Sequence, residues 1–479
     1  MITRFKILIL LLILLSVLLQ SCATFRPEPN LFENQLDSLL VSDLPNSTQA
    51  AISVYDLTEN KSVYMHNEKL FLRPASNQKI LTTSAAYLFL GNNFNFETKV
   101  YHTGTIADSV LCGDLYFVGG LDPAFTTHNL DSLVREIKKF GIKEINGDVY
   151  GDVSAMDSLF WGEGWMWDDD PYSFAAYLTP LNINKNSVAV VVSPSQPGDS
   201  ANVETIPKTN FVVIKNSAVT TDTGKTKLKV TRDWLNRKNT IFVSGTISKL
   251  FKPDTIALNV FNPTFYFLQL AAESFKRNGI ELDGKVDTLT LRDSAEVIAL
   301  SKHSIESVIN YTNKNSYNLG AEMLLRALAL KYYGKPASAK NGIKLLDSLI
   351  TLSGLDPKLY SLVDGSGLSF YNLVSTQLIM DVLKYLYLNQ PEIYKKIYDS
   401  FPVSGTDGSL KNRMKNFPTH GQVHAKTGTI SGVSCLSGYI QTRKNHTLAF
   451  SVMIQNYTGS SSAARKFQDK ICEIIFNTN

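Results

Sequence analysis

Three short motifs follow one another in a fixed order along this chain: Ser76-Asn77-Gln78-Lys79, Ser316-Tyr317-Asn318 and Lys426-Thr427-Gly428. About 240 residues separate the first from the second, room for at least one whole extra domain. No other feature constrains the fold as much. If the motifs meet in one site, the chain must leave its first domain after Lys79, build further structure, and return.

Each motif has a chemical reading and a plainer one. A serine hydroxyl is a weak nucleophile and needs an adjacent base. Pro74-Ala75 precede a stretch from Ser76 to Leu90, closed by Gly91, that predicts a mostly buried helix through Ile80, Leu81, Ala85, Tyr87 and Leu88. Lys79 then lies one turn from Ser76 on the same face. It serves as the base only as a neutral amine, which burial and a nearby cation, Lys426 being the candidate, would favour. The helix start also offers free N–H groups to a developing oxyanion. Ser316 and Asn318, two apart in a turn, suit a proton relay and a substrate amide contact. Lys426-Thr427-Gly428-Thr429 reads as a strand edge: a cation and a hydroxyl for a carboxylate, a glycine admitting the substrate backbone, and the Thr429 N–H as a second oxyanion donor. Taken singly, a solvated Ser/Lys pair, a helix cap and a strand-end turn explain them as well. Their order and their setting favour the chemistry.

The surrounding texture agrees. Ala51–Tyr55 and Ser62–Met65 flank a polar turn with Asn60 and predict a hairpin. Residues 96–297 change to short β segments, interrupted by helical patterns at Leu130–Phe140 and Thr264–Asn278, the second with Asn262-Pro263 as start and Gly279 as stop. Helical patterns return from 304 to 333 and in Ala337–Ser353, Thr376–Asn389 and Pro391–Ser400. His424–Thr429, Gly432–Gln441 and Thr447–Gln455 predict antiparallel strands before a last helix, Ser461–Phe476. The expected fold is multi-domain α/β. One domain, 45–95 with 298–479, has a sheet drawn from both termini; residues 96–297 form an insert of one or two α+β or β-rich modules.

Arg4, Lys6 and the Ile/Leu run Ile7–Leu15 make residues 1–21 a secretory signal, ending at Leu19-Gln20-Ser21-Cys22. A small residue before a cysteine points to a lipoprotein with Cys22 as the lipidated first residue. A plain signal peptide or an uncleaved anchor are the alternatives, since Gln20 is not the usual small residue. Residues 22–44 then read as a tether, with Pro27 and Pro29. Removing the segment deletes Arg4 and Lys6 and lowers the formal charge from +4 to +2. Without a Lys/Arg run, that excludes a nucleic-acid partner. Cys112, Cys435 and Cys472 form no disulfide framework or zinc pattern and read as free buried thiols, with one oxidised pair as the alternative. No H-x-x-H, HExxH or G-x-S-x-G occurs, so no metal and no cofactor are expected. His424 alternates with Lys426 and reads as an ordinary strand histidine.

The S-x-x-K, S-x-N and K-T-G set is shared by penicillin-binding proteins and β-lactamases. The chain resembles the class C (type 4) penicillin-binding proteins, the D-alanyl-D-alanine carboxypeptidase/endopeptidase family, over nearly all of residues 45–475. Further likenesses are Arg73-Pro74-Ala75-Ser76, Gly113-Asp114-Leu115 with Gly119-Gly120-Leu121-Asp122-Pro123, and Gly164–Asp169 with Leu181–Asn184. Asp364–Ser369, Ser404–Leu410, His424–Thr429 and Leu436–Tyr439 complete them. Leu121 stands where a glycine is usual, and Phe370-Tyr371 where polar residues are.

The resemblance implies a transpeptidase-like domain with one domain inserted and a third nested in it. It implies acylation of Ser76, with Lys79 as base and Ser316 and Asn318 as the second motif. Lys426, Thr427 and Thr429 would line the third side. The implied substrates are peptidoglycan stem peptides, with β-lactams acylating Ser76, in the periplasm and on a membrane through the lipid. A β-lactamase shares the motifs but spaces the first two more closely. A non-enzymatic cell-wall binder would have no need of all three intact.

Overall fold

The computed structural model describes residues 31–478 apart from 46, 293, 294 and 417; the segment 1–30, with Cys22, lies outside the described residues. A five-stranded antiparallel sheet forms the base of the site. Its strand order is Val423–Ile430, Val433–Gln441, Thr447–Gln455, Gln49–Asp56 and Lys61–His66. The N-terminal hairpin is therefore the far side of a sheet whose other half is made some 370 residues later. Gln49–Asp56 runs against Thr447–Gln455 in unbroken register, Gln49 opposite Gln455 and Asp56 opposite Leu448. Strands Val433–Gln441 and Thr447–Gln455 are buried along nearly their whole length. Such continuous apolar runs mark strands covered on both faces.

Two helix layers provide that cover. On one face Ser462–Phe476 buries Phe467, Ile471 and Ile475 against Ile52, Leu436 and Val452. On the other lies Gln78–Leu90, buried all round from Gln78 to Tyr87 and packed among Asn318–Tyr333, Ala339–Leu352 and Thr376–Asn389. A helix with no exposed face is a central rod; its first turn carries Lys79, and Ser76 lies in the turn that leads into it. Part of the stretch expected as a tether is folded: Leu31–Asp43 is a helix that buries Phe32 and Leu36 beside Tyr64. Phe32 and Leu36 are one turn apart, so both reach the core. The Tyr64 hydroxyl donates to Asp37 at 2.6 Å.

Between the first two motifs the described residues make four more sheets. It leaves and returns through one antiparallel pair, Asn95–His102 with Glu296–Ser304, Asn95 opposite Ser304. That pair belongs to a five-stranded sheet with Leu115–Val118, Val149–Asp152 and Val286–Thr288, next to which runs a four-stranded sheet through Val110–Cys112 and Glu144–Ile145. The helices Thr127–Lys139 and Pro263–Asn278 pack on them. Residues 187–259 form the other two sheets, all β: one on Ser187–Ser193, one on Thr240–Ser248. Leu121 takes φ +65 with its side chain fully buried. The left-handed conformation costs about 1–2 kcal/mol, while burying a leucine contributes about 1.5–3 kcal/mol, so leucine is tolerated in a glycine's place. Cys435 and Cys472 are buried and free; Cys112, expected to be buried, is exposed.

Candidate active site

Ser76 sits in a 3-10 turn, Ala75–Asn77, that runs directly into the helix Gln78–Leu90. Lys79 is fully buried, and its Nζ lies 3.0 Å from Ser76 Oγ. Two further oxygens hold the amine: Asn318 Oδ1 at 2.6 Å and the Ser366 carbonyl at 2.7 Å. The turn itself is tied to the sheet by Asn77, which donates to Ser437 Oγ at 2.6 Å. Burial brings the Lys79 ammonium down to about 7, against the opposing pull of Asp364 and Glu322. Desolvation, rather than the charge of Lys426, is therefore what frees the lone pair. The repulsion between the two amines acts on Lys426, held well below the lysine range by burial first and by Lys79 second.

The second motif is the joint between two helices, Ile305–Asn315 and Asn318–Tyr333. Ser316 ends the first at φ +55, a left-handed conformation rare for a side chain with a Cβ. That bend turns Ser316 Oγ toward Lys426, whose Nζ donates to it at 2.9 Å and to the Thr427 carbonyl at 2.8 Å. Ala75, beside Ser76, is likewise at φ +45. Backbone held in such sparsely populated conformations concentrates at functional sites.

Lys426, Thr427 and Thr429 lie on Val423–Ile430, the edge strand of the sheet. Lys426 is buried, Thr427 half-buried and Thr429 exposed opposite Ser434. A Cβ on Gly428 would stand 2.9 Å from the Pro74 carbonyl oxygen and 3.0 Å from Ser76 N, so only glycine lets this edge meet the Ser76 turn so closely. His424 stacks on Tyr398 with ring centroids 3.9 Å apart, a packing contact. All seven expected residues of the three motifs thus fall at one place, with Ser76, Lys79 and Asn318 in one bonded group and Ser316 and Lys426 in another.

Several groups at this place were not singled out from the sequence. The loop Asp364–Ser369 supplies the Ser366 carbonyl. Buried Asp364 shapes that loop, accepting from Gly367 N and Ser369 N at 2.8 Å, from Asn372 Nδ2 at 2.7 Å and from Trp165 Nε1 at 3.0 Å. Gly367 is at φ +79, and a Cβ there would collide with the Ala75 carbonyl at 1.7 Å. Glu322 Oε1 accepts from Gly365 N and Ser366 N at 3.0 and 2.9 Å, and Glu322 Oε2 from Arg326 at 2.9 Å. Ser409 shares a 2.6 Å hydrogen bond with Thr427. Phe370, in a usually polar position, lies under the Arg73 guanidinium at 5.3 Å. The loops Asp364–Ser369 and Ser404–Leu410 stood out only as family likenesses; Phe174 is reached through its carbonyl, which accepts from Asn318 Nδ2 at 2.9 Å.

Glu322 and Arg326 are each 1 % exposed. Glu322→Ala leaves a buried guanidinium unpaired and two loop N–H groups without their acceptor. It is expected to cost about 3–5 kcal/mol, measured as a lower midpoint in urea unfolding. An unchanged midpoint would show that this pair does not support the loop.

Residues 32–477 match the model of the D-Ala-D-Ala carboxypeptidase 3 (S13) family. The chain is 30% identical over 432 residues to the D-alanyl-D-alanine carboxypeptidase DacB of Haemophilus influenzae, covering 89% of each protein. Its fold superposes on the crystal structure of penicillin binding protein 4 (dacB) from Haemophilus influenzae with a TM-score of 0.82 at 28% identity, over 92% of this chain and 99% of that one. A second crystal structure of that protein, complexed with a β-lactam, gives 0.75 at 26% identity, covering 92% and 99%. A serine, two buried lysines and a glycine-bearing strand edge meet across an insert of the expected size, and the family match runs almost from end to end of the described residues: the chain belongs to the D-Ala-D-Ala carboxypeptidase 3 (S13) family, serine-type carboxypeptidases of the class C penicillin-binding kind.

Proposed function

We propose that the protein releases the terminal D-Ala from peptidoglycan stem peptides through an acyl-enzyme on Ser76, and that β-lactams acylate the same serine. One observation carries this reading. A neutral lysine amine has two N–H donors and one lone pair. Asn318 Oδ1 and the Ser366 carbonyl can only accept, so they take both donors. The lone pair is left for the Ser76 hydroxyl, 3.0 Å away. Lys79 is thereby aimed as a general base at a single proton.

The steps follow from that placement. Ser76 Oγ attacks the penultimate D-Ala carbonyl as its proton passes to Lys79. The backbone N–H groups of Ser76 and Thr429 hold the oxyanion. The C–N bond breaks as the proton taken by Lys79 passes through Ser316 to the leaving amine, which returns Lys79 to its neutral form; Ser316 is held for this by Lys426. Lys426 and Thr427, with Ser409 beside it, receive the terminal carboxylate, and Asn318 orients the substrate amide. Water then attacks the ester while Lys79 takes one of its protons and returns one to Ser76. Where the leaving amine belongs to a cross-linked diamino acid, the same steps make an endopeptidase.

Purified protein incubated with diacetyl-lysyl-D-alanyl-D-alanine is expected to release free D-Ala, and one equivalent of bound penicillin to stop it. No release would overturn the carboxypeptidase reading. Rapid, repeated nitrocefin turnover would favour a β-lactamase instead.

The nesting of the sheets supports dividing the chain as 45–95 with 298–479 for the catalytic domain and 96–297 for an insert of two modules. We also place the protein in the periplasm, held to a membrane by lipid on Cys22 after loss of residues 1–21. The motif Leu19–Cys22 supports that placement. Among the described residues no helix is long and apolar enough to cross a membrane. Labelled palmitate is expected to enter the wild-type protein and not Cys22→Ala; equal label in both would end the lipid assignment.

A further inference from the structure

Arg232 is a fully buried cation in the all-β sheets of residues 187–259, at the end of the strand Lys227–Arg232, which pairs with Thr240–Ser248. Burying a charge is costly unless it is paired and fully hydrogen-bonded. Arg232 is paired and held by four hydrogen bonds. Its guanidinium pairs with Asp170, bonds Asn259 Oδ1 at 3.1 and 3.2 Å, and bonds the Lys238 carbonyl at 3.0 Å. The other Asp170 oxygen accepts from the Tyr177 hydroxyl at 2.7 Å. Through Asp170 and Tyr177 the cation reaches both ends of one segment, residues 170–177.

That segment is fastened along its length. Asn259 N donates to the Pro171 carbonyl at 3.0 Å, and Asn259 Nδ2 to the Ala175 carbonyl at 2.8 Å. Tyr172 bridges Leu258. Asn186 Nδ2 donates to the Tyr177 carbonyl at 2.8 Å. Between these anchors the Phe174 carbonyl projects at the active site and accepts from Asn318 Nδ2 at 2.9 Å. A carbonyl only accepts, so it decides which way round the Asn318 amide sits. With Nδ2 turned to Phe174, Oδ1 must face Lys79, where it takes an N–H at 2.6 Å. Lose the Phe174 carbonyl and the amide is free to rotate. Its NH2 group would then compete for the Lys79 lone pair.

We propose that Arg232, with Asp170 and Tyr177, is a positioning residue for acyl transfer: the nested module holds the Phe174 carbonyl so that Asn318 turns the Lys79 lone pair onto Ser76. This rests on the reading of Lys79 as the base. It gives residues 187–259 a part in catalysis without contact with the substrate.

The test is rapid-mixing kinetics of a fluorescent penicillin with the whole mature chain, separating the pre-covalent dissociation constant from the limiting acylation rate, with active-site titration to count competent molecules. Arg232→Met is expected to lower the limiting rate per titrated site by about ten- to a hundredfold, as a small misplacement of reacting groups does. The pre-covalent constant should stay within about twofold on the same grounds. Arg232→Lys, which returns a cation to Asp170, should recover part of the rate. Tyr177→Phe removes one hydroxyl and keeps the ring, so it decides the matter if Arg232→Met does not fold; a loss of about two- to threefold is expected. Wild-type rates per titrated site in the variants, or losses confined to pre-covalent affinity or to the number of competent sites, would overturn the proposal. If the wild-type protein itself takes no penicillin, the acyl-enzyme reading fails instead, and the two failures are told apart by that control.

Discussion

Ser76→Ala is expected to take up no fluorescent penicillin and to release no D-Ala, with the limiting rate down by about a millionfold, the scale of losing a serine nucleophile. Intact mass after incubation with a β-lactam should rise by one adduct in wild type and not at all in the variant. The fold should be unaffected. Ser76 is half-buried, its Oγ is met by Lys79, and the turn is anchored instead by Asn77 on Ser437. The unfolding midpoint should therefore stay within about 1 kcal/mol of wild type, since one hydrogen bond is all that is lost. An adduct on Ser76→Ala would place the nucleophile elsewhere and dissolve the case for all three motifs together.

How far the site could be read in advance depended on what kind of group each partner is. Side chains with special chemistry announce themselves. Ser76 and Lys79 are one helical turn apart, so their meeting is local, and the sequence pattern already implies it. Ser316 and Lys426 required the return of the chain across the insert, and the order of the motifs with the gap between them implied that too. Among the groups that went unread, two that bond the motif side chains directly are backbone carbonyls. Ser366 O lies 287 positions from Lys79, and Phe174 O 144 positions from Asn318. Any residue has a carbonyl, so no residue type marks those positions; only the shape of the loop does, and that shape depends on Asp364 and Glu322 through tertiary contacts.

The N-terminal helix shows the same limit in the fold. Leu31–Asp43 carries only Phe32 and Leu36 as buried residues, too few to stand out as an amphipathic pattern, and it exists because Tyr64 and the last helix are there to cover it. Helices of this length are marginal alone and are stabilised by packing. The inserted sheets were legible as β texture but not as a nesting order, because which strand pairs with which is decided far along the chain: Leu115–Val118 pairs in parallel with Val149–Asp152, and Val149–Asp152 in turn with Val286–Thr288.

Lys79→Met is the second large effect, and it separates the base from the nucleophile. Methionine fills a similar volume in a fully buried position, so the fold should survive. With Ser76 in place but no lone pair to take its proton, the limiting acylation rate is expected to fall by about a hundred- to ten-thousandfold, the range for a general base. The wild-type rate should also depend on pH with a definite sign. The charged ammonium has no lone pair, and the Lys79 value in the folded protein is about 7. The neutral fraction therefore grows as pH rises through 7, and acylation should climb with it to a plateau. Stability linked to this group moves the same way. Between about pH 7 and the free-lysine value of 10.5 the unfolded chain binds a proton that the folded one does not, so unfolding becomes harder as pH rises across that window. Lys79→Met should abolish the kinetic step near 7 and flatten the stability slope above it. A variant that keeps the wild-type step would assign the proton to another group. The remaining buried amine, Lys426, bonds Ser316 and not Ser76, and its own value should rise once the Lys79 charge is gone. A step surviving in Lys79→Met at a shifted pH would therefore report Lys426, while complete loss of the step fixes the base as the amine 3.0 Å from Ser76.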